Sequence, residues 1–237
     1  MWGKWGENMV NILYEDNHII VAIKPQNVPS QADSSGDLDM LTMIKQYIKE
    51  KYKKPGNAYV GLVHRLDRPT GGIMVFAKTS KAAKRLCEQI KTKDFVKKYL
   101  CVVVGSPNQN SGTLTNYIKK DEKNNIVRIV PQSENGAKLA ILDYKIIEKS
   151  QKNYSLVEIL LTTGRSHQIR VQMSNIKNPL FGDVKYGYIG RNWNLALWAY
   201  KLDFVHPVTK QNMHFTAFPP VDDCPWNMFR GTINRLK

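Results

Sequence analysis

The chain has few of the features that mark secreted, membrane-spanning or nucleotide-binding proteins. Its three cysteines, Cys87, Cys101 and Cys224, are too few and too far apart for a disulfide framework or a CxxC metal site. No apolar run approaches the ~20 residues of a membrane helix, and segment 1–9 lacks the apolar core of a signal peptide. Walker and GxGxxG phosphate loops are also missing. These absences indicate a reduced, cytoplasmic protein without a membrane partner.

Acidic residues are scarce relative to basic ones. The 237 residues include 20 Asp and Glu against 35 Lys and Arg, a net charge of +15. Such a surplus implies an anionic partner, and nucleic acid is the commonest one for a soluble basic protein. No repeat, low-complexity tract or linker interrupts the chain, so we predict a single catalytic domain over 1–237. No exposed apolar stripe is obvious in the sequence, and we therefore expect a monomer.

Short apolar strands outnumber helices and do not alternate with them, which favours an α+β class with a mostly antiparallel mixed sheet. Helices are predicted to begin at Asp37, at Thr79 or Ser80, and at Ser166, each a suitable N-cap. Strands are predicted at 12–15, 19–23, 73–77, 99–104, 126–130, 137–147, 155–161, 195–205 and 213–218, the last two as a hairpin around residues 209–210.

Asp67 lies in a polar loop between Arg65 and Arg68, with His64 nearby. Two positive neighbours favour the ionised carboxylate, and a carboxylate held ionised in a cleft can act as a nucleophile or a base. An ordinary surface salt bridge is the competing interpretation, because Asp-Arg neighbours are common. The local sequence leaves both open.

A second polar cluster, GRSHQIR at 164–170, lies at a predicted strand-to-helix junction. Such a junction directs backbone donors toward an anion, and Arg165 and Arg170 can make paired hydrogen bonds to a phosphate or carboxylate. Tyr99 follows Lys97 and Lys98 at the start of an apolar strand. There its ring could stack on an exposed base or simply pack in the core.

Six segments between residues 12 and 220 form a longer pattern. KPQNVP at 24–29 is similar to KPxGxPV, HRLDRPTGG at 64–72 to HRLDxxTSG, and KYLCVVVG at 98–105 to KxYxAxVxG. LTTGRSHQIRV at 161–171 is similar to LxTGRxHQIRVH, NPLFGDVKYG at 178–187 to HPIxGDxxYG, and HPVT at 206–209 to HPxT. Because these are motifs of the RluA-type pseudouridine synthases, in the order of that family, the chain resembles the family over most of its length.

The resemblance implies a pseudouridine synthase fold, with flanking helices and a central basic cleft. It implies isomerisation of uridine in ribosomal or transfer RNA without a cofactor or metal. Asp67 would be the essential carboxylate, Arg170 would pair with it, and Tyr99 would stack on the target base and help to remove the proton at carbon 5. A stacked uridine must first be flipped out of its helix. The further substrate contacts expected are Arg65, which would contact or replace the flipped nucleotide, and His64, Arg165, Leu197, Lys97 and Lys98.

Some positions depart from the family pattern: Gly71 stands where Ser is usual, Trp198 where His is usual, and Gln172 where a His follows Arg-Val. They bear on substrate details more than on the reaction, because none is the proposed carboxylate. The chain also begins too close to its first strand to hold the separate N-terminal RNA-binding domain of many relatives.

Two other functions compete with this interpretation. One is a non-catalytic RNA-binding or ribosome-assembly protein that uses the same basic surface. The other is a metal-dependent nuclease built on His64, Asp67 and His167, although no tight ligand spacing supports a metal. The eight basic residues from Lys78 to Lys98 could contact phosphates of the RNA and make binding salt-dependent, and a solvated helix face is the competing interpretation for several of them.

Overall fold

The computed structural model describes residues 10–53, 56, 58–191 and 193–237, and segment 1–9, on which the signal-peptide expectation depends, lies outside them. The chain divides into two compact units. Unit 1 combines the residues up to Phe95 with Lys201–Ala217, and unit 2 combines Val96–Tyr200 with Phe218–Lys237. Every strand pairing with a described register is antiparallel. The predicted α+β class with a mostly antiparallel sheet is therefore confirmed.

Unit 1 is a sheet with two helices. Its strands run in the order β1, β2, β4, β10, with β3 paired to β4 and β11 paired to β10. β2 and β4 are apolar runs that lie buried, and Val21, Val75, Leu86 and Phe204 meet in one core. The elements are β1 (Asn11–Glu15), β2 (Ile19–Lys24), α1 (Met40–Tyr52), β3 (Gly61–Leu62), β4 (Gly71–Ala77), α2 (Ser80–Thr92), the Lys201–Val205 part of β10 (Leu197–Val205) and β11 (Asn212–Thr216).

The first helix begins later than predicted. Asp39, not Asp37, is its N-cap, and its carboxylate accepts a hydrogen bond from the Thr42 backbone N–H at 3.1 Å. Asp37 lies too far ahead of the first turn to reach that donor and pairs with Arg68 instead. The predicted cap at Thr79 is confirmed, because its hydroxyl accepts from the Ala82 N–H at 3.1 Å.

The predicted hairpin near the end of unit 1 is confirmed, with β10 and β11 joined around Lys210. The HPxT-like segment closes the turn: His206 Nδ1 accepts from the backbone N–H groups of Val208 and Thr209, at 3.2 and 2.9 Å. Its Nε2 lies 2.8 Å from Asp16 Oδ2. This motif is therefore a structural one here.

Unit 2 is a longer sheet in the order β10, β5, β9, β8, β6, β7. Its members are β5 (Val96–Val104), β6 (Ser111–Asp121), β7 (Ile126–Val130), β8 (Lys138–Lys149), β9 (Tyr154–Leu161), the Leu197–Tyr200 part of β10, α3 (Gln168–Asn175) and α4 (Arg230–Arg235). β6 was not predicted from the sequence. It pairs with β8 over eight positions, from Ser111–Lys145 to Ile118–Lys138.

α3 also begins later than predicted. Ser166 is not its cap: the residue before the helix is His167, which has a left-handed backbone (φ 52°) and makes no side-chain cap bond. The side chain of Gln168 instead ties the preceding loop to the helix, because its Oε1 accepts from the Arg165 N–H at 3.0 Å and from the Thr163 hydroxyl at 2.8 Å. The junction is thus closed from inside the helix.

The tail after Pro220 belongs to unit 2. It is anchored by Trp226, Phe229 and Ile233, which are all buried. No helix within the described residues combines the length and the apolar character needed to cross a membrane.

Candidate active site

Asp67 lies in the loop between β3 and β4, in unit 1. Its side chain is half-buried, and its neighbours Arg65 and Arg68 are exposed. The Asp67 carbonyl accepts the Thr70 N–H at 2.9 Å, which turns the chain tightly behind the carboxylate. The loop therefore presents one carboxylate between two exposed cations.

Side chains of segment 24–30 hold the Asp67 loop in place by donating hydrogen bonds to the carbonyl groups of that loop. Ser30 Oγ donates to the Leu66 carbonyl at 2.7 Å and accepts the Leu66 N–H at 3.1 Å. Lys24 Nζ donates to the Arg68 carbonyl at 3.0 Å, and Gln26 Nε2 donates to the Pro69 carbonyl at 3.1 Å. The backbone on both sides of Asp67 is thus fixed by three side chains from one short segment, none of which was predicted as a site residue.

Lys24 is fully buried within this arrangement. Besides Arg68, its Nζ donates to the carbonyls of Pro25 at 2.9 Å and Val28 at 2.6 Å, so three acceptors match the three N–H bonds of an ammonium. Burial lowers the pKa of Lys24 to about 7, against an opposing effect of the nearby Asp67 carboxylate, while Arg68 lowers it further. Lys24 is therefore a buried amine that interacts electrostatically with Asp67.

Asn27 explains how the segment turns. It has a left-handed backbone (φ 66°) at the position where the quoted family pattern has Gly. Asn is among the few non-glycine residues that tolerate this conformation. The departure from the pattern therefore keeps the bend that brings Lys24, Gln26 and Ser30 to the loop.

The side chains of Arg68 and His64 both make contacts within unit 1. Arg68 pairs with Asp37 and lies 3.6 Å from Asp33, so it ties its loop to segment 33–37. His64 is buried edge-on to Phe95, with ring centroids 5.3 Å apart, and its Nε2 accepts the Val75 N–H at 3.1 Å. That bond positions the start of the Asp67 loop, and contact of His64 with RNA stays a prediction.

Tyr99 lies in β5 of unit 2 and is only 5% exposed. Lys97 shares its face of the strand, because side chains two residues apart point the same way. Burial lowers the pKa of Lys97. Lys98 is on the other face and forms an ion pair with Glu158 at 3.0 Å, which also accepts the Tyr200 hydroxyl. The structure therefore groups Lys97 with Tyr99 and separates Lys98 from them.

The loop after β9 carries the second predicted cluster. A Cβ placed on Gly164 would lie 3.0 Å from Lys97 Nζ, so this glycine leaves room for the ammonium group. Arg165 is exposed, and its Nε donates to the Leu139 carbonyl at 3.1 Å. The loop thus brings Arg165 and Lys97 to the same end of unit 2.

Arg170 lies in α3 and is buried against Asp183. Its Nε and Nη2 each donate to one Asp183 oxygen at 2.7 Å, and its guanidinium carbon lies 5.0 Å from the centre of the Tyr186 ring. The Tyr186 hydroxyl accepts the Val127 N–H at 2.8 Å and lies 2.7 Å from His167 Nδ1. Asp183 is a partner of Arg170 that sequence reasoning missed, and the expected pairing of Arg170 with Asp67 stays a prediction.

Leu197 opens β10 and is 3% exposed, in the core of unit 2. No three His, Cys, Asp or Glu side chains come together as a metal-binding set anywhere in the part of the chain that the structure describes. His64 and His167 each commit one ring nitrogen to the protein, to Val75 and Tyr186. The nuclease hypothesis receives no support from the described residues.

The basic stretch 78–98 contributes fewer open charges than its composition suggests. Lys78 pairs with Glu15 at 2.7 Å, Arg85 donates to the Pro207 carbonyl at 2.8 Å, and Lys91 lies 3.5 Å from Glu88. The exposed surface of unit 1 also carries three lysines of this stretch, Lys81, Lys84 and Lys93.

Residues 18–175 match the sequence profile of the family described as RNA pseudouridylate synthase. Ribosomal large subunit pseudouridine synthase C of Buchnera aphidicola subsp. Baizongia pistaciae is 34% identical over 223 residues, covering 89% of this chain and 67% of that protein. The uncharacterized RNA pseudouridine synthase YhcT of Bacillus subtilis is 33% identical over 222 residues, covering 92% and 71%. This chain covers between 56% and 71% of the length of relatives at this level of sequence identity. The chain therefore belongs to the RNA pseudouridylate synthase family.

Two solved structures share the fold. Human RNA pseudouridylate synthase domain containing 4 has a TM-score of 0.76 at 22% identity, with 94% of this chain and 93% of that chain covered. Human RNA pseudouridylate synthase domain containing 1 has a TM-score of 0.71 at 23% identity, with 90% and 84% covered. The predicted RluA-type family and fold are confirmed. An isomerase that makes pseudouridine in RNA is favoured over the non-catalytic RNA-binding protein.

Proposed function

We propose that this protein isomerises uridines of large-subunit ribosomal RNA, with Asp67 as the essential carboxylate. The observation that carries this proposal is the Asp67 loop, whose backbone is fixed by Lys24, Gln26 and Ser30 inside the family-matched region. Such fixation holds a reacting group in place before the substrate arrives, which is a large part of enzymatic rate enhancement. The choice of RNA follows the names of relatives that act on the large ribosomal subunit.

The reaction breaks the bond between the sugar and nitrogen 1, rotates the uracil, and joins carbon 5 to the sugar. Carbon 5 loses a proton and nitrogen 1 gains one, so nothing is oxidised and no group enters or leaves. We therefore propose neither a cofactor nor a metal. Asp67 either attacks the sugar, attacks carbon 6 or removes a sugar proton, and each route requires its ionised form.

Tyr99 and Arg170 complete the proposed machinery. The Tyr99 ring would stack on the flipped uracil and its hydroxyl would assist removal of the carbon 5 proton. Arg170 would pair with Asp67 while its bidentate bond to Asp183 holds the guanidinium in one orientation. Arg65, exposed two residues before Asp67, would contact or replace the flipped nucleotide.

Other substrate contacts are proposed for exposed Arg165 and for Lys97, with smaller contributions from His64, Lys98 and Leu197. We propose that the protein acts as a monomer in the cytoplasm. RNA is its partner.

The test is tritium release from large-subunit ribosomal RNA transcribed with uridine that carries tritium on carbon 5. The wild-type protein should release tritium as pseudouridine forms. Asp67→Asn keeps the side-chain shape but removes the carboxylate, and it should lower the rate by at least ~1000-fold. Asp94→Asn, an exposed carboxylate in the same unit, is the control and should match the wild type.

Binding of the same transcript distinguishes the remaining outcomes. Asp67→Asn should bind RNA as the wild type does. Undiminished tritium release from Asp67→Asn would overturn the assignment of the carboxylate. Tight binding without any release by the wild type, on ribosomal and transfer RNA alike, would return the protein to the RNA-binding class.

A further inference from the structure

A compact loop stands between the end of α3 and the start of β10 in unit 2. It spans residues 182–195, and its two ends meet at one residue of β5. The Phe181 N–H donates to the Val102 carbonyl at 2.8 Å, and the Val102 N–H donates to the Ala196 carbonyl at 3.1 Å. The Ala196 N–H also donates to the Phe181 carbonyl at 2.9 Å. Closed ends and internal packing define an Ω-loop, a class that frequently carries function.

The base of the loop is fixed by its own backbone and aromatic rings. The Asp183 carbonyl accepts the N–H groups of Tyr186 and Tyr188, both at 3.0 Å. Phe181 lies beneath, with ring centroids 4.9 Å from Tyr188 and 6.2 Å from Trp193. The loop therefore presents its tip from a rigid support.

The tip is apolar and faces water. Ile189 is 97% exposed, the highest value among the exposed large hydrophobic residues of the described chain, and Trp193 is 41% exposed. A single exposed apolar side chain is ordinary. Two of them on one anchored loop, with a third, Val184, at its start, indicate a surface that is covered in use.

The charge of the loop indicates which kind of partner covers its tip. No acidic residue occurs from 184 to 202, whereas Arg191 lies between Ile189 and Trp193 in the sequence and is exposed. Lys185 is exposed as well, and its Nζ donates to the Asn125 carbonyl at 3.1 Å. The one carboxylate of the loop, Asp183, is buried against Arg170. Apolar or aromatic side chains beside an exposed cation match single-stranded RNA, whose bases offer stacking faces and whose backbone is anionic.

The position of the loop relates it to the proposed chemistry. Asp183, its second residue, holds Arg170, and Val102, which receives both of its ends, lies three residues after Tyr99 in β5. The rigid base of the loop is thus continuous with two of the proposed catalytic residues of unit 2.

We propose that the tip of the 182–195 loop binds the RNA strand next to the target uridine. Ile189 and Trp193 lie against base faces, and Arg191 contacts a phosphate. This inference rests on the proposed function, since it names a contact of that enzyme with its substrate. In this arrangement the loop tip keeps the neighbouring nucleotides unstacked while the uridine is extruded.

The test measures binding of a single-stranded oligouridine by fluorescence anisotropy, with every loop variant made in the Asp67→Asn background so that turnover does not interfere. Ile189→Asp should raise Kd by ~10-fold, and Arg191→Ala by ~5-fold. Ile189→Phe should bind within ~2-fold of the parent, because an aromatic ring also stacks on a base. Leu236→Asp, an exposed apolar residue elsewhere in unit 2, is the matched control and should leave Kd unchanged.

Each other outcome is decisive. Equal Kd values for Ile189→Asp, Leu236→Asp and the parent would overturn the proposal. A change from dimer to monomer on Ile189→Asp in sedimentation, without a change in Kd, would also overturn it and make a second copy the partner. Thermal unfolding at the parent temperature verifies that the variants are folded.

Failure of the proposed function is separable from failure of this inference. If the wild-type protein releases no tritium from any RNA, the proposed function fails, yet the oligouridine Kd values still decide the loop. If tritium release depends on Asp67 and the loop variants bind normally, only the loop proposal is lost.

Discussion

At Lys24, three backbone carbonyls surround a buried amine, and one of them belongs to Arg68, next to Asp67. The KPxGxPV-like segment contains no sign that the Lys24 side chain turns inward. Its partner on the Asp67 loop is 44 residues away along the chain. Local sequence therefore could not predict this contact. The charges on either side of Asp67 left its role open, and only the family resemblance singled it out.

The buried amine makes stability depend on pH in a defined direction. Below about pH 7 both the folded and the unfolded chain hold the Lys24 proton; above it the folded chain loses the proton while the unfolded chain keeps it. The free energy of unfolding should therefore rise with pH from about 7 toward the ordinary lysine range, by at most about 1.4 kcal/mol per pH unit from this group.

Urea unfolding at several pH values between about 6 and 9 measures this slope. Lys24→Met should be less stable at every pH and should lack the rise that Lys24 contributes. Lys84→Met, at an exposed lysine of the same unit, should keep it. Parallel profiles for the wild type and Lys24→Met would contradict the prediction.

Tyr99 tests the division between binding and chemistry. Tyr99→Phe should fill the same buried space and keep the stacking face, so Kd for RNA should stay within about twofold. Loss of the hydroxyl should lower the single-turnover rate of tritium release by about 100-fold or more. Tyr144→Phe, in a buried tyrosine of β8, is the control and should leave both values unchanged. An equal loss in binding and rate would assign Tyr99 to substrate affinity alone.

Neighbouring residues in the Asp67 loop show why a motif does not reveal the role of each member. Arg65 is exposed, whereas His64 and Leu66 on either side of it are buried. All three belong to the same motif, but two of them support the loop. His64 accepts the Val75 backbone N–H, and the Leu66 backbone N–H donates to the Ser30 hydroxyl. Only the structure separates the supporting positions from the position that faces the solvent.

Among the elements, continuous apolar runs were predicted well, whereas the mixed strand β6 was missed. β4 and most of β5 are buried, and their composition identifies them as strands. β6 is half-exposed along much of its length, and it contains Gly112, Asn116 and a charged end at 119–121. Its pairing with β8 stabilises it, and that long-range contact leaves little trace in its own sequence.

The Ω-loop depends on one glycine. Gly182 has φ +78°, and a Cβ there would overlap the Asn194 carbonyl oxygen of the backbone. Gly136 has nearly the same φ, +80°, but the nearest atom to its Cβ position is Lys119 Cε at 3.9 Å. A side chain at either site would therefore carry the same conformational cost of a left-handed residue, but only at Gly182 would the added Cβ overlap another backbone atom.

Gly182→Ala should lower the free energy of unfolding by at least about 2 kcal/mol more than Gly136→Ala does. Hydrogen exchange should also become faster at the Tyr186 and Tyr188 amides, which close the loop on Asp183. Chemical unfolding and exchange mass spectrometry measure both effects. Equal destabilisation by the two substitutions would show that the loop relaxes around the added methyl group.

Over the whole molecule, the net charge of +15 predicted an anionic partner, but the distribution of that charge was only partly readable from composition. Several lysines and arginines of the 78–98 stretch are bound to acidic groups or carbonyls. Lys81 and Lys84 on α2 are exposed and are the better candidates for phosphate contact.

The double variant Lys81→Gln, Lys84→Gln should make RNA binding less dependent on salt, because each lost phosphate contact changes the slope of log K against log salt by about 0.7 to 0.9. A total change of about 1.5 is expected. The double variant Lys145→Gln, Lys149→Gln removes the same charge from exposed positions of β8 and should leave the slope unchanged. Identical shifts in the two variants would indicate a general effect of net charge.

Neither unit is continuous along the chain. Residues 201–217 complete unit 1, and residues 218–237 complete unit 2. While the protein is being translated, the apolar strands β2 and β4 emerge early, yet the β10 segment that pairs with β4 is made more than a hundred residues later. Both units therefore remain incomplete until residues 201–237 have been made. A premature stop anywhere before residue 201 would deprive both units of their closing segments at once.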